Sequence, residues 1–311
     1  MGSPLSLDKF TIFDFQCRCS SEQESIKFAQ EIGVLCKSIS CHCGRVMKLY
    51  ERPRKIDGCS FRCTHCYNEI SVKHASWLND RHHARISVKI FLHILFFWSK
   101  KISVTASSEL IGVQKETIVN YFNMFREECG KKLITMPVQL GGPGKIVEID
   151  ETFLGAERKY GRGAEKERKG DVFGAFERES GQVAMIYIGG KSHIDLIPTI
   201  LKWILPGTTI CSDGLATYKC LGNLGYNHHS VNHSIGEYVR YDGSLMVTTN
   251  GIEGAWGNLK MRFQAMHGTK AEMMPSYIDE FIWRRRFKPP LDNFISMIQA
   301  PYGESVPKLL L

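Results

Sequence analysis

The sequence predicts an α/β protein built in three parts, and three observations lead there. Two cysteine pairs lie at 41–43 and 63–66. A run of helical pattern covers 86–130. The second half then shows three strands, a helix, two strands and a helix, in that order. Strands interleaved with helices imply a sheet covered by helices. At 311 residues the chain is long for one domain and suits two or three. With 43% hydrophobic and 23% charged residues it is neither disordered nor collagen-like.

Other classes fall away on simple counts. The eleven cysteines are too sparse for a small disulfide scaffold. The longest apolar stretch, Ile86 to Trp98, is 13 residues long and is interrupted by Lys89 and His93. It is too short to span a bilayer, so no membrane partner is expected. The first ten residues lack a charged head followed by an apolar run, so no secretory signal is expected. The cysteines are then expected in a reducing compartment, binding metal or staying free.

The net charge of +8 is unevenly spread. Residues 1–143 carry 20 Lys/Arg against 13 Asp/Glu, whereas 144–311 carry 20 against 19. A basic module suggests a polyanion, usually nucleic acid, although solubility alone explains a charge of this size equally well.

Residues 1–35 form an N-terminal segment in which Cys17 and Cys19 are read as free thiols. Residues 36–76 hold Cys41 and Cys43, then Cys63 and Cys66, with 19 residues between the pairs. Zinc takes four such ligands in a tetrahedron, and two tight knuckles joined by a hairpin supply them. The intervening segment reads as two short strands around a turn at Asp57-Gly58. A zinc ribbon is expected. The short C-x-C knuckle leaves Cys36, His42, Cys59 and His65 as substitute ligands. Four buried free cysteines are the competing reading.

Residues 77–140 read as a helix-turn-helix domain. Ile86–Trp98 is a buried helix, Ser103–Ile111 a short one, and Gly112-Val113 a turn. The next helix, Lys115–Cys129, carries Ile118, Val119, Phe122 and Phe125 on one face. It would present Gln114, Lys115, Thr117, Asn120 and Asn123 to the major groove. A purely structural three-helix bundle has the same pattern.

Gly141-Gly142-Pro143-Gly144 breaks regular structure and coincides with the change in charge, so a catalytic domain is placed at 141–290 and a tail at 291–311. Its strands are Lys145–Ile149, Val172–Glu177, Gln182–Ile188, Thr208–Cys211 and His228–Val231. Its helices are Ile194–Leu205, Asn250–Phe263 and Tyr277–Phe287. This is the order of a ribonuclease H-like fold. Such a fold brings together a carboxylate on its first strand, one at the end of its fourth strand and one from a later helix. Here those are Asp150, Asp213 and Glu253. Hard Mg²⁺ or Mn²⁺ takes oxygen ligands, and two such ions catalyse in-line phosphoryl displacement. Taken singly, each of these residues is also explained as a turn or first-turn helix residue.

Flanking residues extend the reading. Lys260 shares a helix face with Glu253 and suits a DNA phosphate. Asn250 is read as an N-cap, with an auxiliary ligand role as the alternative. His233 reaches a phosphate or metal, or is structural. The loop 155–170, with Arg158, Lys159 and Arg162, suits DNA backbone. Trp283-Arg284-Arg285-Arg286 reads as a second basic cluster.

GGPGKIVEIDETFLGAERKYGRG, PGTTICSDGLATY, GYNHHSVNHS, TTNGIEGAWGNLK and YIDEFIWRRRF, in order over 141–287, resemble Merlin-type transposases. These are eukaryotic cut-and-paste elements related to bacterial insertion sequences with an ISXO2-like catalytic domain. The resemblance implies a DDE-type transposase with Asp150, Asp213 and Glu253 as its triad. It implies Mg²⁺ or Mn²⁺ at two catalytic positions and structural Zn²⁺. It also implies double-stranded DNA as partner, as terminal inverted repeats and target, and a homodimer or larger synaptic assembly. The expected location is the nucleus in a eukaryote, or the cytoplasm and nucleoid in a bacterium. A domesticated DNA-binding regulator and a ribonuclease H-like nuclease or resolvase are the alternatives.

Overall fold

The structure is a computed structural model that describes residues 6–79, 86–154, 171–188, 193–266 and 268–299. It separates into two compact units, Met1–Met124 with Phe287–Leu311, and Phe125–Arg286. The division therefore falls inside a helix rather than at the glycine-rich breaker. No helix among the described residues is long and apolar enough to cross a membrane.

In the first unit, α1 (Ile12–Arg18) opens with a capping box: Thr11 Oγ1 accepts from the Asp14 amide, and the Asp14 carboxylate accepts from the Thr11 amide. Helix α2 (Glu22–Glu31) follows. Strands β1 (Lys48–Glu51), β2 (Cys59–Arg62) and β3 (Glu69–Ser71) form an antiparallel sheet in that order. The expected turn lies between the first two, with Gly58 at φ +66°. Asp57 is buried there. It pairs with Lys73 at 3.1 Å and accepts from the Val88 amide at 3.0 Å, which ties the sheet to α3 (Val88–Ser99).

Helix α3 buries Phe91, Leu92, Ile94 and Leu95, as its apolar sequence requires. Helix α4 (Val104–Ile111) is capped by Ser103 and ends on Gly112 at φ +76°, a left-handed position that favours glycine. Helix α5 (Lys115–Thr135) then runs on into the second unit. Ile118, Phe122 and Phe125 are buried as expected. Val119 is not: it is 40% exposed, and Tyr121 fills the stripe instead. One residue along a helix turns the side chain by about 100°, which carries Val119 off the face set by Ile118 and Phe122.

The second unit is built on one five-stranded sheet. Two-residue strands β4 (Leu140–Gly141) and β8 (Ile204–Leu205) pair at its margin. The main strands are β5 (Ile146–Phe153), β6 (Asp171–Glu177), β7 (Val183–Ile188), β9 (Thr209–Ser212) and β10 (Asn227–Ser230). Their order is β10-β9-β5-β6-β7. The first three in sequence form an antiparallel meander, and β9 and β10 join in parallel beside β5. A small hairpin, β11 (Arg240–Asp242) and β12 (Leu245–Val247), precedes the next helix.

Helices cover both faces. Val147, Ile149, Phe173 and Ala175 pack with Leu196, Ile197 and Ile200 of α6 (His193–Trp203). On the other face Val172, Val183 and Met185 pack with Ile252, Trp256 and Leu259 of α7 (Asn250–Ala265) and Ile278 and Ile282 of α8 (Met274–Arg286). Alternate residues of each strand thus serve opposite layers.

The basic cluster on α8 needs correction. Arg284 is a core residue: it donates to Glu280 Oε1 at 2.7 Å, and Arg262 pairs with the other oxygen. Burial would raise the Glu280 carboxyl, but the two guanidiniums hold it down at about 2. Arg285 donates to the Gly181 carbonyl and Arg286 to that of Met136.

Residues read as the start of a tail form α9 (Pro290–Ile298), which buries Leu291, Phe294 and Ile295. It belongs to the first unit. Its Leu291 and Asp292 amides donate to Asp8 Oδ2, and Phe294 lies 4.8 Å from Trp98, ring to ring.

Candidate active site and metal centre

Asp150 and Asp213 are brought together by strand register. Strands β5 and β9 pair in parallel, Ile146 with Thr209, Val147 with Ile210 and Glu148 with Cys211. The same offset, carried two residues on, sets Asp213 beside Asp150. Neighbouring strands lie about 4.8 Å apart. Asp213 Oδ1 accepts from the Leu215 amide at 3.0 Å, so one oxygen fixes the turn that ends the strand.

Glu253 comes from the first turn of α7. Its Oε1 accepts from Thr249 Oγ1 at 2.8 Å and lies 3.9 Å from His233 Nε2. Asp150 registers both other carboxylates. Burial, then the negative charge of Asp213 and of Glu253, push its carboxyl up to about 6, against the pull of the Glu151 amide and the Trp256 indole. Two like charges bearing on a buried carboxyl are a poor arrangement for stability alone. Carboxylate oxygens are the donors that a hard divalent cation such as Mg²⁺ takes.

The helix is fastened to the sheet at two points. Trp256 Nε1 donates to Asp150 Oδ2 at 3.1 Å. Glu148, two residues before Asp150 and on the same face of β5, accepts from the Gly251 and Ile252 amides at 2.6 and 3.0 Å. Its other oxygen takes Arg178 Nε at 2.7 Å. This corrects the reading of Asn250 as the cap: Asn250 is exposed at the first helical position, and the sheet supplies the acceptor for the helix amides.

Three histidines lie on β10 and in the turn that follows it. His228 Nε2 meets Ser212 Oγ at 2.8 Å, next to Asp213, and burial lowers its pKa. His229 Nδ1 meets Asp242 Oδ2 at 2.7 Å, and Arg240 meets the same oxygen. With Thr249 Oγ1 at 3.4 Å, His233 stands closest to Glu253 of the three.

Residues 139–286 match the family model of the ISXO2-like transposase domain. Over these residues the chain is similar to the DDE transposase domains of insertion sequences. No curated protein matches the chain. The family implies a ribonuclease H-like fold and an enzyme of the polynucleotidyl-transferase type acting on DNA. The strand order found here is the one that fold requires.

Outside the transposase domain, the four expected zinc ligands converge. The sulfurs of Cys41, Cys43, Cys63 and Cys66 all lie within 4.8 Å of one another. Cys41 and Cys66 approach to 3.3 Å, and Cys43 and Cys63 to 3.5 Å. Zn–S bonds of about 2.3 Å give tetrahedral edges near these values, so the thiols fit zinc. The backbone amides of Cys66 and His65 point at Cys63 and lower its thiol to about 6. Gly44, at φ +83°, makes the tight turn that a C-x-C knuckle needs. Cys59 stands apart, its thiol pushed up to about 11 by burial.

Lys115 and Asn120 are exposed on α5, Thr117 is partly so, and Lys260 is exposed on α7. Arg158, Lys159 and Arg162 lie outside the described residues. Sequence reasoning missed Glu148, Arg178 and Trp256. The alternation in VEIDE offered a signal for the first, since it sets Glu148 and Asp150 on one strand face.

Proposed function

We propose that the chain is a cut-and-paste DNA transposase of the Merlin kind, which cleaves DNA at its element's terminal inverted repeats and joins the exposed ends to target DNA. One observation supports the reading: the charges of Asp213, just after β9, and of Glu253, in the first turn of α7, both bear on Asp150 of the neighbouring central strand β5. Asp150, Asp213 and Glu253 would hold two Mg²⁺ or Mn²⁺ ions. When bound, such ions activate a water or a 3′-hydroxyl and stabilise the leaving oxygen.

The protein's own residues do the rest. Trp256 and Glu148 hold Asp150 and Glu253 in place. His233 and Lys260 receive DNA phosphates beside the carboxylates, and Arg158, Lys159 and Arg162 follow the backbone. In the first unit α4 and α5 act as a helix-turn-helix, with Lys115, Thr117 and Asn120 in the major groove, next to a structural zinc ribbon. Pairing two DNA ends calls for a homodimer or larger assembly, and access to DNA for the nucleus in a eukaryote or the cytoplasm and nucleoid in a bacterium.

The test compares substrates. The full chain, with Mg²⁺, is given duplexes ending in the inverted repeats that flank its coding region, an RNA–DNA hybrid and a four-way junction. Cleavage and end-joining of the repeat-ended duplex are expected. Preference for the hybrid or junction would move the reading to a nuclease or resolvase, and repeat binding without cleavage to a regulator.

A further inference from the structure

We infer that Glu148 and Arg178 form a clamp that sets the position of Glu253 relative to Asp150, and so the affinity of the site for its divalent ions. The inference rests on the metal-dependent reading above and deepens it.

Glu148 is 2% exposed, and both of its oxygens are engaged. Oε1 takes Arg178 Nε at 2.7 Å, and Oε2 takes the Gly251 and Ile252 amides. It is therefore not a ligand in waiting, although it neighbours Asp150 on the same strand face. Arg178 uses its remaining nitrogens on the chain just ahead of α7. Nη1 donates to the Met246 carbonyl at 2.7 Å and Nη2 to the Thr248 carbonyl at 3.1 Å. The pair thus grips the lead-in to the helix and its first turn, which carries Glu253.

Close packing leaves this arrangement little slack. A Cβ on Gly251 would stand 2.5 Å from the Phe176 ring and 2.8 Å from Glu148 Oε2. The helix N-terminus approaches the sheet this closely only because that residue is glycine. The same strand that presents Asp150 therefore fixes the start of the helix that presents Glu253. One rigid element controls the spacing of two ligands, and metal affinity follows ligand spacing.

Glutamine cannot replace Glu148. It has one carbonyl oxygen, whereas Glu148 accepts on opposite sides. Its amide nitrogen would face either Arg178 or the helix amides, donor against donor. Lysine at 178 keeps the charge but lacks the three-way fork that reaches Glu148, Met246 and Thr248 together.

The experiment titrates Mn²⁺ into wild type, Glu148→Gln and Arg178→Lys, reading binding by electron paramagnetic resonance and DNA cleavage as a function of metal. Circular dichroism and DNA affinity are measured alongside. Loss of supporting groups around a metal site typically costs about 10–100-fold in metal affinity. That loss is expected in both variants, with DNA affinity unchanged and cleavage partly recovered at high Mn²⁺. A folded variant that binds Mn²⁺ and cleaves like wild type overturns the clamp. Should Glu148→Gln fail to fold, the better-tolerated Arg178→Lys decides by the same criterion. If wild type binds no Mn²⁺ that Asp213→Asn abolishes, the metal-dependent reading itself falls and the clamp with it.

Discussion

Trp256 lies over Gly174 and donates its indole N–H to Asp150. The hydrogen bond is 3.1 Å long, and Gly174 is the antiparallel partner of Asp150 on β6. A Cβ on Gly174 would stand 2.5 Å from the indole ring. A missing side chain on one strand thus makes room for the ring that orients the acid on the next. Fold and site meet in that contact.

The same glycine yields a stability contrast. Gly174→Ala forces the indole to shift, and overpacking of this kind costs about 1–3 kcal/mol. Gly257, on α7, faces open space: a Cβ there would meet nothing within 4 Å. At that position an alanine should stabilise by about 0.5–1 kcal/mol, because it restricts the unfolded chain without a clash. Urea unfolding of the two variants should move in opposite directions. Equal shifts would remove the packing argument.

Asp150 sets a pH dependence. Its carboxyl is raised from 3.8 to about 6, burial being the main cause. The folded state therefore holds this proton more tightly than the unfolded chain. The stabilisation is fully present below the unfolded value and is lost as pH rises to the folded one. In metal-free protein, Asp150→Asn should be more stable than wild type above pH ~6, by about 1–3 kcal/mol, and should lose that advantage near pH ~4. Unfolding curves across this range check it. An advantage independent of pH would contradict the assigned burial and crowding of the carboxylates.

Zinc content tests the ribbon. Elemental analysis should find one zinc per chain in wild type and in Cys59→Ala, because Cys59 stands apart from the four thiols. Cys43→Ser and Cys63→Ser should lose it. Full zinc in Cys43→Ser would assign the fourth ligand elsewhere.

Arg284 tests the corrected basic cluster. Breaking a buried ion pair by removing one partner is strongly destabilising, and Glu280 is only 1% exposed. Arg284→Ala should cost about 2–5 kcal/mol in urea unfolding, the lower end reflecting Arg262 as the remaining partner. Unchanged stability with weakened DNA binding would restore the surface reading.

How far the sequence carried depends on the residue. Asp213 and Glu253 were legible because each lies at the end or start of a strongly patterned element, and Asp150 because it stands in the alternating pattern of β5, which runs on to Phe153. The four clustered thiols were legible because knuckle spacing is local. Glu148 was not, because an acid in an alternating strand looks the same whether its face meets water or a helix. WRRR misled for a related reason: charge in a sequence does not reveal an internal partner, and Glu280 lies one helical turn before Arg284. Val119 failed on geometry, one residue off the buried stripe.

The central claim is that Asp150, Asp213 and Glu253 act as one metal-dependent cleavage site. Its most direct test is Mg²⁺-dependent cutting of repeat-ended DNA by wild type and by Asp213→Asn, with DNA binding measured on the same samples. The expected result is normal binding and no cleavage by the variant. Cleavage at the wild-type rate by Asp213→Asn would contradict the claim.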